Sequence, residues 1–263
     1  MAERLTVLVP VKNEEANLRA CLESAREIAD ELLVADSGST DATMEIAREF
    51  DARIIEREYV NSADMKNWAI PQAAHPWVMV LDADERITPE LANAVRDALR
   101  DPTVEGFSVR RRSFAFGHAI RYCGWQGDVL IRMFRRDTCR YDTRRVHAAV
   151  DVPSEKIQRL AGDLLHYTYR DFRQFIEKFD RYTTWSAEDL NDRGTRASAM
   201  RLFLKPQLRF LKQYVWRQGF RDGMPGLVLC GLSATTVFVR YAKLWVMQHG
   251  LSRADSSLEA GRN

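Results

Sequence analysis

The sequence predicts an α/β fold, in which a mixed sheet flanked by helices is followed by a helical C-terminal region. Apolar runs alternate with helical patterns through the first hundred residues, which is typical of a parallel sheet covered on both faces. Short alternating stretches follow between residues 106 and 169, and these suit antiparallel strands that complete the sheet. After Asp171, apolar residues recur at three- and four-residue steps, as they do in amphipathic helices.

The elements of the first hundred residues follow from local signals. Asn13 is expected to cap the first helix, because Glu14 and Glu15 then fall in the first turn, where carboxylates suit the helix dipole. Pro89 is expected at the first position of a later helix, where its missing N–H costs nothing. The predicted strands are residues 5–11, 32–35, 53–55 and 77–81, and the predicted helices are residues 13–28, 42–50, 63–74 and one that begins near Pro89.

Composition and charge bound the class of protein. The chain has 263 residues, of which 46% are hydrophobic and 29% charged, as in an ordinary globular protein of one large domain with or without a smaller appendage. The formal charge of +2 is unevenly distributed, because residues 193–253 contain 11 basic side chains and 1 acidic one. The C-terminal quarter is therefore expected to face an anionic partner or surface.

The cysteines and apolar segments predict a cytosolic setting. Cys21, Cys123, Cys139 and Cys230 form no C-x-x-C pair, so we expect reduced thiols and no structural zinc. The apolar run at the N-terminus is too short for a signal peptide and fits a buried strand. Residues 223–239 carry no charge but include a proline and three glycines, so we expect a broken hairpin that dips into a membrane interface and does not span it.

Polar clusters follow three predicted strands, at the edge where α/β sheets bind ligands. They are residues 10–15, residues 36–41 and the Asp82-Ala-Asp84-Glu85 segment. The sequence has neither a G-x-G-x-x-G after the first strand nor a Walker A motif, which argues against a dinucleotide-binding domain and a P-loop NTPase. A carboxylate pair at a strand end can hold Mg²⁺ or Mn²⁺, and the metal can neutralise a diphosphate. The alternative is a simple strand-end turn.

In order and spacing these segments, with Lys66-Asn67 between them, resemble the family 2 glycosyltransferases of GT-A fold over residues 4–170. Within the family, residues 131–136 and the Val146-His147 pair resemble bacterial enzymes that glycosylate the lipopolysaccharide inner core, of the β-1,4-glucosyltransferase kind. The resemblance implies a GT-A domain over residues 1–170. Residues 171–263 then form a helical, basic region that associates with a membrane.

The resemblance also implies roles for single residues. Asp36 would accept a hydrogen bond from the uracil N3–H, although its segment also suits a turn and a helix cap. Lys66 would approach the diphosphate, although it also suits an exposed helix face. The remaining assignments are Pro10, Asn13 and Glu14 in the nucleotide pocket, Asp82 on ribose or metal, and Asp84 as a metal ligand.

Inverting sugar transfer needs a general base that takes the proton of the acceptor hydroxyl. Relatives often have Val-His-Glu where this chain has Val146-His147-Ala148, so the base is sought elsewhere. Asp128 is the first candidate, because it precedes the strand that begins near Val129, and Asp142 and Asp151 are alternatives.

Three further side chains are candidates for ligand contacts. His147 and His166 suit a metal or a phosphate, and a structural role is the alternative for each. Trp125 suits stacking on a sugar ring, and burial is its equal alternative.

The segment from Arg201 to Arg217 mixes basic with bulky apolar residues, which is typical of a helix on an anionic bilayer. A packed helical cap with a basic rim is the alternative, and no nucleic-acid-binding motif accompanies the charge. Leu204, Leu208, Leu211, Val215 and Trp216 suit one face, whereas Arg201, Lys205, Arg209, Lys212 and Arg217 lie towards the other.

Together these observations predict a metal-dependent, inverting glycosyltransferase. It would use a UDP-sugar and Mg²⁺ or Mn²⁺, and it would act on a lipid-linked or lipopolysaccharide acceptor, peripherally on the inner face of the cytoplasmic membrane. Two other functions remain open. One is a nucleotidyltransferase, and the other is a catalytically degenerate scaffold that binds nucleotide sugars at the membrane.

Overall fold

The computed structural model describes residues 2–142 and 149–250. Within them the chain forms two compact units. The first comprises the residues up to Ser113 together with Gly127–Thr168, and the second comprises Phe114–Gln126 together with the residues from Tyr169 onward. The predicted division into residues 1–170 and 171–263 stays a prediction.

The helices and strands alternate up to β4, as the sequence predicts, and a short strand that was not predicted, β5, then precedes α4. In chain order they are β1 (Leu5–Val11), α1 (Glu15–Ala25), β2 (Glu31–Asp36), α2 (Thr43–Glu49), β3 (Arg53–Glu56), α3 (Ser62–Ala69), β4 (Trp77–Val80), β5 (Glu85–Ile87), α4 (Pro89–Ala98), β6 (Gly106–Ala115), β7 (His118–Ile120), β8 (Val129–Arg135), β9 (Ile157–Tyr169), α5 (Phe172–Asp192), α6 (Ala199–Leu211) and α7 (Gly223–Gln248).

The strands form a mixed sheet in the order β3-β2-β1-β4-β8-β6-β9-β5, and β7 pairs with β6. Strands β3, β2, β1 and β4 are parallel, whereas β8 is antiparallel to β4 and to β6, and β5 is antiparallel to β9. The predicted mixed sheet is therefore confirmed. Val11 lies opposite Asp36, so the ends of β1 and β2 coincide.

Side chains of the parallel strands alternate between two cores. Leu5, Val7 and Val9 of β1 pack with α1, α2 and α4 on one face of the sheet. Leu8 points the other way and packs with α3 and Phe134. Burial on both faces explains why the first strand reads as an unbroken apolar run and not as an alternating one.

Two local predictions are wrong. Glu14, not Asn13, occupies the N-cap position of α1, and it makes no side-chain cap. Asn13 has a left-handed φ of 53°, and its side-chain carbonyl accepts from the Thr40 N–H instead. Residues 223–239 form no broken hairpin, because α7 runs without interruption from Gly223 to Gln248.

The second unit is built around α5, α6 and α7. Ala187 of α5 is buried with Tyr241 and Leu244 of α7. The Lys243 ammonium of α7 donates to the Asp180 carboxylate of α5 at 2.7 Å. By length and composition, one helix of the described residues, Gly219–Gln248, is long and apolar enough to cross a membrane. Of its apolar stretch, 17% is buried.

Gly162 of β9 holds the start of α4 close to the sheet, and we expect Gly162→Ala to destabilise the first unit strongly. Its φ is +84°, and a Cβ there would lie 2.4 Å from the Leu91 backbone nitrogen. Gly38→Ala is the matched control, because Gly38 has the same φ and open space around it. Urea denaturation should show a loss of about 1–2 kcal/mol for the control and a clearly larger loss for Gly162→Ala. Equal losses would contradict a tight contact at Gly162.

Candidate active site

The ends of β1 and β2 are tied together at the edge of the sheet where the polar clusters were predicted. The Asn13 N–H donates to the Ser39 Oγ at 2.9 Å, and the Asn13 side chain accepts from the Thr40 N–H at 2.8 Å. The Glu14 N–H donates to the Thr43 Oγ1 at 2.8 Å. Pro10 lies in β1, directly before this loop. The residues assigned to the nucleotide pocket are therefore neighbours, in a loop that hydrogen bonds hold in place.

Asp36 ends β2, and only 2% of it is exposed. Its carboxylate accepts from the Gly38 N–H at 2.9 Å and from the Ser39 hydroxyl at 2.6 Å. The turn expected from the sequence is therefore present. The contact with uracil stays a prediction.

Both carboxylate oxygens of Asp82 are paired with cations. The Lys66 ammonium of α3 donates to Oδ1 at 2.9 Å, and the Arg132 guanidinium of β8 donates to Oδ2 at 2.8 Å. Lys66 is buried and lies 5.3 Å from the centre of the Tyr141 ring, so it does not occupy an exposed helix face. The two cations fix Asp82 at the point where β4 ends.

Glu85 belongs to the same network of ion pairs and hydrogen bonds as Asp82. It is fully buried at the start of β5, accepts a hydrogen bond from Arg132, and lies 3.5 Å from the Arg111 guanidinium. Its side chain also accepts from the Asp82 N–H at 3.1 Å. The two acids are therefore bridged by one arginine as well as by the backbone.

Burial and charge act differently on these groups. Burial would raise the pKa of Asp82, but Lys66 and Arg132 outweigh it and hold that pKa well below its ordinary value. Burial raises the pKa of Glu85, and the Asp82 and Asp84 carboxylates act in the same direction against Arg132. Burial would lower the pKa of Lys66, but the Asp82 charge raises it overall. Asp82 and Lys66 are thus kept charged as a pair.

Asp84 faces a histidine from a distant part of the chain. The pairing of β5 with β9 sets Glu85 opposite His166, and it brings the His166 Nε2 to 3.6 Å from the Asp84 Oδ1. The other ring nitrogen, Nδ1, contacts the Thr168 hydroxyl at 2.8 Å and the Ser113 hydroxyl at 3.2 Å. These hydroxyls orient the ring. At metal sites, a hydrogen-bond partner of the histidine nitrogen that does not bind the metal has the same effect.

The pair formed by Asp84 and His166 fits a divalent cation. At 3.6 Å the two atoms are too far apart for a hydrogen bond. Donors that each lie about 2.1 Å from a metal, at ordinary ligand angles, are about 3–3.6 Å apart. No group of three or more His, Cys, Asp or Glu side chains within residues 2–142 and 149–250 is arranged to hold a metal. The other ligands would have to come from a substrate or from water.

The remaining predicted residues fall in separate places. Asp128 directly precedes β8, and its Oδ2 accepts from the Arg111 Nε at 2.8 Å, while the Arg111 Nη2 lies 2.7 Å away. Arg111 therefore connects Asp128 to Glu85. Trp125 belongs to the second unit, where it is half-buried against an apolar cluster. His147 lies outside the described residues.

Arg111 and Arg132 were missed as site residues from the sequence. Arg132 lies on β8 at a buried position, 4% exposed, and an arginine there needs buried carboxylates as partners. The place of Arg132 in an apolar strand was the one feature of the sequence that could have identified it as a site residue. Nothing local distinguishes Arg111, because its role comes from the pairing of β6 with β8.

The chain matches a family model. The model for glycosyl transferase family 2 matches residues 6–148, which include the ends of β1, β2 and β4 and all of β8. The mixed sheet with flanking helices is of the GT-A type expected from the sequence.

Similar proteins extend over most of the chain. A lipopolysaccharide core biosynthesis glycosyltransferase of Rhizobium meliloti is 30% identical over 253 residues, or 90% of this chain and 93% of that protein. An uncharacterized glycosyltransferase of Rickettsia typhi is 27% identical and covers 92% of this chain and 87% of its own length. A crystal structure of glucosyl-3-phosphoglycerate synthase from Mycobacterium tuberculosis with Mn²⁺ and UDP covers 44% of this chain and 45% of that chain, at 25% identity and a TM-score of 0.36.

We expect Arg132→Met to lower the free energy of unfolding by about 3–5 kcal/mol, because it leaves Glu85 and Asp82 without their shared cation. Arg4→Met is the matched control, since the Arg4–Asp30 pair has side chains that are 65% and 38% exposed and should matter little. Urea denaturation measures both variants. Similar losses in the two would show that the buried network contributes no more than a surface ion pair.

Proposed function

The chain belongs to glycosyl transferase family 2, and we propose that it transfers a sugar, with inversion, from a UDP-sugar to a lipid-linked or lipopolysaccharide core acceptor. The lipopolysaccharide acceptor is supported by the similarity to the Rhizobium meliloti core biosynthesis enzyme, which spans 93% of that protein. The catalytic domain would comprise residues 1–170. UDP is the proposed nucleotide because Asp36, in the family resemblance, accepts from uracil.

The observation that carries the proposal is Asp84 beside His166, 3.6 Å apart, at the end of the parallel strands. These two side chains would hold Mg²⁺ or Mn²⁺, which when bound offsets the negative charge of the departing diphosphate. Lys66 would add a fixed positive charge beside the same group. Its tie to Asp82 at 2.9 Å holds the ammonium in place before substrate arrives.

Asp128 would act as the general base. It takes the proton of the acceptor hydroxyl as that oxygen attacks the anomeric carbon and the bond from this carbon to the diphosphate breaks. Arg111 binds only the Oδ2 of Asp128 in its contacts at 2.7 and 2.8 Å, so it orients the carboxylate for this role. Trp125 would stack on a sugar ring of donor or acceptor.

The proposed site of action is the inner face of the cytoplasmic membrane, where the enzyme is peripheral. Support comes from the second unit. Its apolar side chains at the predicted bilayer face are exposed, and Trp216 is 84% exposed. In a packed helical cap these side chains would be buried, so their exposure favours the bilayer. The basic residues predicted for the other face, among them Lys205 and Lys212, would meet anionic headgroups.

We expect Asp84→Ala to lower transfer by about 10³-fold or more, because the cation loses its carboxylate ligand. UDP release from UDP-glucose and other UDP-sugars, with a bacterial membrane extract as acceptor, measures transfer. Asp101→Ala removes an exposed aspartate of the same unit and should leave activity unchanged. Full activity in Asp84→Ala would refute the metal role. A natural protein that binds UDP without turnover would instead be a scaffold.

We expect Asp128→Asn to lower turnover by about 10²–10⁴-fold while UDP still binds, because the amide cannot accept the acceptor's proton. Asp137→Asn is the matched control, since Asp137 also pairs with an arginine, Arg136, at 2.7 Å but is exposed. Single-turnover assays and calorimetry with UDP measure the two quantities. If turnover survives in Asp128→Asn, the base is another residue.

A further inference from the structure

An open apolar groove lies between α6 and α7 in the second unit. Its volume is about 470 Å³, within the usual range of ligand sites. Two of its side chains, Leu211 and Phe238, are exposed at 52% and 39% despite their size. The groove is lined by Pro206, Gln207, Phe210 and Leu211 of α6 and by Ala234, Thr235 and Phe238 of α7.

Small residues on α7 keep the groove open. Ala234 presents only a methyl group to the groove. Thr235 donates its hydroxyl to the Gly231 carbonyl oxygen at 3.0 Å, so its polar atom is satisfied within the helix. The groove is therefore mostly apolar, with Gln207 as the polar side chain on its α6 side.

The groove is continuous with an exposed apolar face of α6. None of the residues Ala199–Leu211 is buried, although the helix has several large apolar side chains. At about 100° per residue, Leu204, Leu208 and Leu211 share one side of the helix, and Leu211 also lines the groove. Lys205 and Lys212 lie along the edge of this face. An apolar face with a basic edge complements an anionic bilayer surface.

We propose that the groove between α6 and α7 binds one acyl chain of an anionic phospholipid when the second unit lies on the cytoplasmic leaflet. This inference rests on the proposed membrane site of action. The occupant is chosen by charge and polarity, since the groove is apolar and its surroundings basic. Residues 251–263 match it poorly, because they include four charged side chains.

The packing of α7 keeps the second unit at the interface. Tyr241 and Leu244 of α7 are buried against α5. Lys243 is bonded to Asp180 of that helix at 2.7 Å, and α5 carries many charges that could not enter hydrocarbon. With α7 packed against α5 in this way, an acyl chain would reach the groove from the leaflet on which the second unit lies.

Variants that fill the groove distinguish an acyl chain bound inside it from a bilayer that contacts only the exposed apolar surface. Thr235→Leu and Ala234→Leu add apolar area at residues that line the groove, so they would maintain or strengthen binding to a bilayer that only touches the surface. If the groove takes an acyl chain, both changes exclude it, and vesicle binding should weaken by about tenfold, the effect of roughly two lost methylene contacts. Ala199→Leu makes the same kind of change at an exposed position that does not line the groove.

The measurement is flotation of the full chain with phosphatidylcholine vesicles containing one part in four of phosphatidylglycerol, with pure phosphatidylcholine vesicles for comparison. Light scattering reports self-association, and circular dichroism confirms that each variant is folded. We expect about tenfold weaker binding of Thr235→Leu and Ala234→Leu to anionic vesicles, with Ala199→Leu unchanged.

Three results would overturn the proposal. Unchanged or tighter binding of both groove variants shows that no chain enters. A change in oligomeric state of the groove variants identifies a second copy as the occupant. If the natural protein binds no vesicle yet still releases UDP from a UDP-sugar, the membrane site fails while the glycosyltransferase activity stands.

Discussion

The arrangement of the site depends on one constraint, which is that Asp82 is held at both carboxylate oxygens by buried cations. Lys66 comes from α3 and Arg132 from β8, so the contact joins elements on two sides of β4. Arg132 extends the network to the fully buried Glu85. A buried charge is costly unless it is paired. The turn that follows β4 is therefore fixed in one conformation, and Asp84 within it is fixed as well.

Because of this constraint, the two aspartates of the Asp82-Ala-Asp84 turn have different roles. Asp82 organises the surrounding cations, and its oxygens are committed to them. Asp84 is presented to His166, whose outer nitrogen is held by the hydroxyls of Thr168 and Ser113. His166 lies on β9 and Asp84 directly precedes β5, and these two strands pair although they are far apart in sequence. Strand pairing in the sheet thus places His166 beside Asp84, which no local sequence motif could indicate.

The sequence predicts well what depends on local patterns. The run of residues 5–11, buried on both faces, became β1 with the same bounds, and the strand ends carry the expected polar clusters. It predicts poorly what depends on pairing across the sheet. Arg111 and the placement of His166 follow from strand neighbours that periodicity cannot assign. Asn13 was wrongly predicted to cap α1, because its side chain accepts a hydrogen bond from the loop after β2 and not from the helix. The proline and glycines of α7 suggested a break, but Pro225 lies in the first turn of the helix, where a backbone N–H has no partner within the helix.

The most direct measurement is calorimetric titration of UDP, with Mn²⁺ present, into Asp82→Asn and Asp84→Asn variants that remain folded. We expect Asp84→Asn to lose Mn²⁺-dependent binding of UDP, because the cation loses its carboxylate ligand. Asp82→Asn should weaken UDP binding with and without Mn²⁺, because Lys66 and Arg132 lose the charge that fixes the turn, but the binding that remains should still depend on Mn²⁺. Loss of Mn²⁺-dependent binding in Asp82→Asn, with Asp84→Asn unaffected, would contradict this division between the two aspartates.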